Sequence, residues 1–119
     1  MINKLLILSF LYFVHCDNIN VQPLSVSREK FAMTSLENHG LVFFAGGQDK
    51  DNVIYNTVDI FNATSNLWTT ASLSIPRYFL AATSLSNYGL AFFGGGRNMT
   101  ENGYSIVDIY NATSNTWSN

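Results

Sequence analysis

Hydrophobic residues along this chain occur in short runs of the lengths that strands use. Residues 41–45 (LVFFA) and 90–94 (LAFFG) are almost continuously apolar, whereas residues 58–60 and 107–109 (both VDI) alternate apolar and acidic. Short runs of this kind, bounded by turn residues, predict β-strands. No stretch keeps an apolar face at helical spacing. The pattern therefore predicts an all-β protein.

The pattern also recurs along the chain at an offset of 49 residues. Residues 28–70 align with residues 77–119 without a gap, and 22 of the 43 aligned positions are identical. Such self-similarity at a fixed period is typical of repeat architectures. We assign residues 28–76 to a first repeat and residues 77–119 to a second, slightly truncated one. Residues 17–27 form a lead-in that resembles an outer-strand remnant, since PLSVSR ahead of the first repeat matches SLSIPR ahead of the second.

Each repeat predicts four antiparallel strands joined by polar turns. The expected strands are residues 30–36, 41–45, 55–61 and a fourth through Trp68, with copies at 79–85, 90–94, 104–110 and through Trp117. Turns rich in Asn, Ser and Gly fall at 37–40 and 62–66 and at the equivalent positions of the second repeat. The glycine doublets are expected to end the second strands. The divergent segments 48–52 and 97–103 are expected to be exposed loops.

An arginine, a glycine doublet, an aromatic residue and a tryptophan recur in this order and resemble the kelch motif. The set is Arg28, Gly46, Gly47, Phe61 and Trp68, repeated as Arg77, Gly95, Gly96, Tyr110 and Trp117. The resemblance covers nearly all of the chain beyond its apolar start. It implies that each repeat is a four-stranded blade of a β-propeller similar to the central domain of galactose oxidase. The large aromatic groups are suited to filling the space between blades.

The number of repeats departs from the family pattern. Propellers close with about four to eight blades, and this chain carries two repeats. The fold is therefore expected to be incomplete as a single chain. Three explanations remain: a fragment of a longer propeller, a homo-oligomer whose copies complete a ring, or a degenerate product. We rank the fragment first.

Residues 1–16 predict a secretory signal peptide. Lys4 supplies a positive start, and the apolar run 5–14 is too short to cross a bilayer, which takes about 20 helical residues. Cleavage is expected after Cys16, which leaves a secreted, extracellular, cysteine-free chain with no membrane association. An uncleaved anchor and a buried N-terminal strand are the alternatives. Three Asn-x-Thr sequons, at Asn62, Asn98 and Asn111, lie in expected turns or loops and predict a glycoprotein.

The charge distribution and reactive residues favour binding over catalysis. A net charge of −2 with 12% charged residues indicates no nucleic-acid partner. We expect no catalytic residues, no metal and no cofactor, because His39 is a lone turn histidine that is expected to be solvated, and the cysteine–tyrosine chemistry of kelch-type copper oxidases has no cysteine in the mature chain. The run Gly94–Gly96 lacks the spacing of a phosphate-binding loop.

Two repeated charged positions carry alternative interpretations. Asp59 and Asp108 could face a common channel, but alternation outward or hydrogen bonding to a turn is favoured. Arg28 and Arg77 could bind anions, but a role in blade packing is favoured. The preferred function is therefore a non-catalytic module that binds a protein or glycan through its loops. The alternative is part of a secreted carbohydrate-active or galactose oxidase-like enzyme whose catalytic residues lie on other blades.

Overall fold

The structure, a computed structural model, describes residues 19–119 and is all-β. The predicted signal peptide at residues 1–16 and the first two lead-in residues lie outside the described part. Eight strands form two antiparallel four-stranded sheets, each in chain order. Sheet 1 contains β1 (Ala32–Leu36), β2 (Leu41–Ala45), β3 (Thr57–Asn62) and β4 (Leu67–Ser72); sheet 2 contains β5 (Tyr78–Leu85), β6 (Leu90–Arg97), β7 (Val107–Asn111) and β8 (Thr116–Ser118).

Both sheets use the same turns, at the positions that the sequence predicted. One 3-10 turn, Glu37–His39, joins β1 to β2, and its copy, Ser86–Tyr88, joins β5 to β6. Each turn is followed by a glycine with a positive φ, Gly40 at 64° and Gly89 at 67°. A side chain is strained in this left-handed region, which explains why glycine occupies both positions.

Several strand boundaries differ from the prediction. The first strand begins at Ala32 instead of residue 30, and the third strands begin at Thr57 and Val107 instead of residues 55 and 104. The second glycine doublet does not end its strand: β6 continues to Arg97, with Gly95 opposite Leu80 and Arg97 opposite Tyr78. The prediction that both doublets terminate strands is therefore correct for Gly46–Gly47 and wrong for Gly95–Gly96.

The core lies between the two sheets. Side chains alternate sides along a strand, so each sheet has two faces. The sheet 1 inner face packs on the sheet 2 inner face, and Phe43 is its centre, with ring centroids 5.8 Å from Phe93, 5.1 Å from Tyr110 and 6.4 Å from Trp117. The sheet 1 inner face consists of Leu36, Leu41, Phe43, Ala45 and Val58, and the sheet 2 inner face of Leu80, Ala91, Phe93, Tyr110 and Trp117.

The opposite faces of the two sheets are more accessible. We call Met33, Val42, Phe44, Phe61 and Trp68 the sheet 1 outer face, and Ala81, Thr83, Leu85, Phe92 and Val107 the sheet 2 outer face. The lead-in, residues 19–27, forms none of the eight strands and lies on the sheet 1 outer face. There the Trp68 indole nitrogen donates to the Asn20 carbonyl oxygen at 2.9 Å, and the Ser25 N–H donates to Asp59 at 3.3 Å.

Candidate functional site

The repeated arginines and aspartates form two buried ion pairs. Arg28 Nη1 lies 2.8 Å from Asp59 Oδ2, and Arg77 Nη2 lies 2.7 Å from Asp108 Oδ2. Every side chain in these pairs is at most 5% exposed. Neither aspartate faces a shared channel. Each accepts a hydrogen bond from a serine N–H in the segment that enters its repeat, Ser25 or Ser74.

Both arginines also donate hydrogen bonds to backbone carbonyls, although Arg77 Nε is buried without a hydrogen-bond partner. Arg28 donates from Nε to Gly46 O at 2.7 Å and from Nη2 to Phe44 O at 2.9 Å. Arg77 donates to Phe93 O at 2.9 Å and to Ile106 O at 3.2 Å. Burial lowers the pKa of the Arg77 guanidinium from its ordinary value, and the charge of Asp108 opposes that shift. Both arginines therefore serve the packing of strands, as the favoured interpretation predicted.

The first glycine doublet lies at the junction between the sheets. Gly47 N donates to Arg77 O at 2.9 Å. A Cβ on Gly46 would lie 2.6 Å from that same carbonyl oxygen, too close for any other residue. The second doublet has a similar backbone, yet the nearest atom to a Cβ on Gly95 would be Tyr104 O at 3.9 Å.

The four repeated aromatic residues lie on equivalent faces in different surroundings. Tyr110 and Trp117 pack against Phe43 of sheet 1, so they fill the space between the sheets as predicted. Phe61 and Trp68 pack on each other at 5.2 Å between centroids and lie on the sheet 1 outer face. Burial raises the pKa of the Tyr110 hydroxyl, which also donates to Asn115 Oδ1 at 3.0 Å.

Two loops of the same backbone conformation extend from one end of the sheets. In the first, residues 49–53, Asp49 Oδ1 accepts hydrogen bonds from the N–H groups of Asp51 and Val53, each at 2.9 Å. In the second, residues 98–102, Asn98 Oδ1 accepts from the N–H groups of Thr100 and Asn102. Asp49 and Asn98 occupy the same repeat position. This role was not predicted, although paired Asp and Asn at one loop position are a recognised turn signal.

The exposed side chains of these loops differ. The first loop presents Lys50, Asp51 and Asn52, whereas the second presents Met99, Thr100 and Glu101. In the first loop, Tyr55 OH donates to Asp49 Oδ2 at 2.8 Å. Hydrogen bonds from the Val53 N–H and then from Tyr55 lower the pKa of Asp49, and the bond to Asp49 raises the pKa of Tyr55. The two loops therefore share one backbone conformation and differ in their exposed side chains.

A polar groove borders the first loop. Its volume is about 320 Å³, and it is lined by Ser27, Arg28, Glu29, Gln48, Asp49 and Lys50. An aromatic group lies at the same end of sheet 2. Phe79 is 53% exposed, and its ring centroid lies 5.4 Å from Lys30 Nζ and 5.0 Å from Arg97 Cζ. These are cation–π distances. Phe79 was not singled out in the sequence, because Lys30 replaces it in the first repeat.

The three sequons lie in turns, as expected. Asn62 and Asn111 start the turns at the end of the sheets opposite the loops, and each Oδ1 accepts hydrogen bonds from the two N–H groups that follow the alanine. Asn98 lies within the second loop and uses its Oδ1 in the same way. These bonds engage the oxygen and not the amide nitrogen that a glycan would modify.

Other candidate chemistry is sparse in the described part of the chain. Within residues 19–119, no group of three or more His, Cys, Asp or Glu side chains is placed to hold a metal ion. The prediction that His39 is solvated is wrong, because the ring is half-buried and packs against Gly89 of sheet 2. No helix in residues 19–119 is long and apolar enough to cross a membrane.

Comparison with protein-family models and with curated proteins found no match. The kelch resemblance therefore rests on the residues of the chain itself.

Proposed function

We propose that this protein is a secreted, non-catalytic binding module of the kelch type, which recognises an extracellular protein or glycan through residues 49–53 and 98–102. The observation that carries the proposal is the pairing of one loop backbone with two sets of exposed side chains. Rigid frameworks that present variable loops are a common way to build recognition surfaces. The polar groove beside Arg28 and the exposed ring of Phe79 lie at the same end and enlarge that surface.

The use of the charged residues supports binding over catalysis. The charged side chains at repeated positions form two internal ion pairs, Arg28 with Asp59 and Arg77 with Asp108. The exposed groups at the loop end are instead amides, hydroxyls, isolated charges and one aromatic ring. Such groups donate and accept hydrogen bonds or stack, which suits glycan hydroxyls or a polar protein surface.

A loop replacement tests the proposal. Residues 50–52 and 99–101 are changed to Gly-Ser-Gly, and Asp49 and Asn98 are kept to preserve the loop backbone. The unmodified and altered proteins are applied to arrays of extracellular proteins and of glycans. We expect a reproducible ligand of the unmodified protein to lose at least tenfold in affinity. The control replaces with alanine Ser65 and Ser114, which are exposed at the opposite end and lie outside the sequons, and should leave binding unchanged.

Two results would overturn the proposal. One is equal binding by the loop-replaced and unmodified proteins; the other is the absence of any ligand on both arrays. Turnover of an arrayed glycan by the unmodified protein would favour the carbohydrate-active alternative.

A further inference from the structure

The sheet 2 outer face is an apolar surface that nothing covers in the described structure. Ala81, Thr83, Phe92, Gly94 and Val107 line a shallow groove of about 280 Å³ together with Ala82. Leu85 is 50% exposed and Val107 is 41% exposed. Leu85 on β5 and Val107 on β7 lie on the same face of sheet 2 with Phe92 of β6, and contiguous apolar patches mark interaction sites.

The same residues of the first repeat are buried inside this chain. At an offset of 49, Leu85 corresponds to Leu36, Val107 to Val58, and Phe92 to Phe43. Leu36, Val58 and Phe43 are each 0% exposed, because they pack on the sheet 2 inner face. The packing of sheet 1 on sheet 2 therefore shows which surface this set of residues fits.

The sheet 1 outer face repeats the aromatic surface on which Phe43 packs. The residues that receive Phe43 are Phe93, Tyr110 and Trp117. Their repeat counterparts are Phe44, Phe61 and Trp68 on the sheet 1 outer face, already packed as one aromatic cluster with Phe44 and Trp68 stacked at 6.0 Å. The sheet 2 outer face thus carries the counterparts of the residues that insert, and the sheet 1 outer face carries the counterparts of the residues that receive them.

Polar contacts between the sheets repeat in the same register. Phe79 N donates to Lys30 O at 2.9 Å. Lys30 and Phe79 are repeat counterparts and share an unusual left-handed backbone, with φ of 56° and 55°. Asn38 Nδ2 donates to Asn87 Oδ1 at 2.7 Å, and these two residues are also counterparts. A second copy packed in this register would direct its Lys30 N–H to Phe79 O and would place its Asn38 beside Asn87.

We propose that the sheet 2 outer face binds the sheet 1 outer face of a second copy of this chain, and that copies joined in this way close a ring. The two surfaces differ, so the contact is head-to-tail and repeats from copy to copy until the ring closes. Rings of four to eight sheets correspond to about two to four chains. The proposal depends on sheet packing and not on what the loops bind.

Part of the lead-in must move for the ring to form. Residues 23–27 correspond to residues 72–76 and are held equivalently, since Ser25 N donates to Asp59 as Ser74 N donates to Asp108. Asn20 does not, since it lies across Asn66 and Trp68 at the edge of the sheet 1 outer face. Docking of a second copy exchanges these contacts for burial of the aromatic cluster.

Two single substitutions test the contact from its two sides. Val107→Asp places a charge on the sheet 2 outer face, and Met33→Asp places one on the sheet 1 outer face, where Met33 is 59% exposed. Met99→Asp, 52% exposed and in the second loop, is the matched control. The full secreted chains are measured by light scattering after gel filtration and deglycosylation, and β-sheet circular dichroism checks each fold.

The expected pattern is specific to head-to-tail packing. The unmodified chain and Met99→Asp form one discrete species of about two to four chains. Val107→Asp and Met33→Asp each give the mass of one chain. An equimolar mixture of these two variants gives a 1:1 dimer, because each supplies the intact face that the other lacks.

Other patterns would overturn the proposal. An unmodified chain that stays monomeric would show that another occupant, such as further repeats of a longer chain, covers this face. Loss of assembly in Val107→Asp alone would indicate pairing of two sheet 2 outer faces. If either aspartate variant loses its β-sheet signal, Val107→Thr and Met33→Thr replace the pair, with the same mixing result required.

Discussion

The two repeats share 22 of 43 aligned residues, yet identical residues lie in opposite environments. Val58 is fully buried and Val107 is 41% exposed; Leu36 is fully buried and Leu85 is half exposed. The difference does not come from the side chains, which are identical at these positions. It comes from position along the chain, since sheet 1 has a neighbour on its inner face whereas sheet 2 has none on its outer face within residues 19–119. Each repeat therefore supplies two complementary faces, and residues 19–119 contain one junction between them.

The largest expected difference in stability is between alanine substitutions at Phe43 and at its counterpart Phe92. Phe43→Ala removes the ring at the centre of the core and should cost about 3–5 kcal/mol of unfolding free energy. Phe92→Ala in monomeric chain should cost much less, because Phe92 is partly exposed already. Urea denaturation of both variants in the Met33→Asp background, which keeps the chain monomeric, measures the difference. Equal losses would contradict the asymmetry of the two junctions.

The ion pairs give the second comparison. Arg77→Met leaves Asp108 as an unpaired buried charge, and breaking such a pair by removing one partner typically costs about 3–5 kcal/mol. Arg28→Met should cost less, because Arg28 borders a solvent-accessible groove whereas Arg77 is fully buried. Denaturation midpoints of the two variants rank them. A larger loss in Arg28→Met would show that the difference in burial does not set the cost.

Alanine substitutions in the two glycine doublets should differ in stability by a smaller amount. Gly46 and Gly95 have φ of 68° and 70°, so alanine strains both by about 1–2 kcal/mol. Only Gly46→Ala also meets a carbonyl oxygen at 2.6 Å. In monomeric protein, Gly46→Ala should therefore be the more destabilising of the two on thermal unfolding. In the proposed ring, Gly95→Ala would meet Arg28 O of the next copy and should weaken assembly as well.

The smallest expected effect is the acid sensitivity of the first loop. The pKa of Asp49 is lowered in the folded loop, so its contribution is present above the ordinary aspartate pKa of about 3.9 and is lost as the pH falls through the folded value. Asp51 and Lys50 are the charged neighbours. Hydrogen exchange of the Asp51 and Val53 amides should therefore lose protection at acidic pH. The same amides in Asp49→Asn should show no such change, and persistence of the acid effect there would assign it elsewhere.

Most of the fold could be read from the repeats. The strands, the turns at Gly40 and Gly89 and the pairing of four strands per unit follow from local patterns that recur in two copies. The left-handed backbone at Lys30 and Phe79 was not predicted, because neither residue is a glycine, asparagine or aspartate, the types that signal this conformation in a sequence. The continuation of β6 through its glycines was missed because pairing with Leu80 and Tyr78 outweighs the flexibility of glycine.

The candidate site was predicted less completely. The variable loops were recognised from divergence between the repeats, but their organisers, Asp49 and Asn98, were not. The charged repeat positions raised a common channel for the aspartates and anion binding by the arginines as alternatives, and the structure places all four in internal pairs. Whether an aspartate beside an isoleucine is buried against an arginine 31 residues away depends on how strands assemble. Spacing along the chain carries no such information.

By itself the sequence determined the duplication, the all-β class and the local shape of each unit, since strand propensity, alternation and turn residues act over a few neighbouring positions. The tertiary structure decided which copy of each residue is buried. Burial depends on the presence of a neighbouring sheet, and identical residues such as Val58 and Val107 differ in whether residues 19–119 supply that neighbour. The complementary faces left at the two ends follow from the same cause.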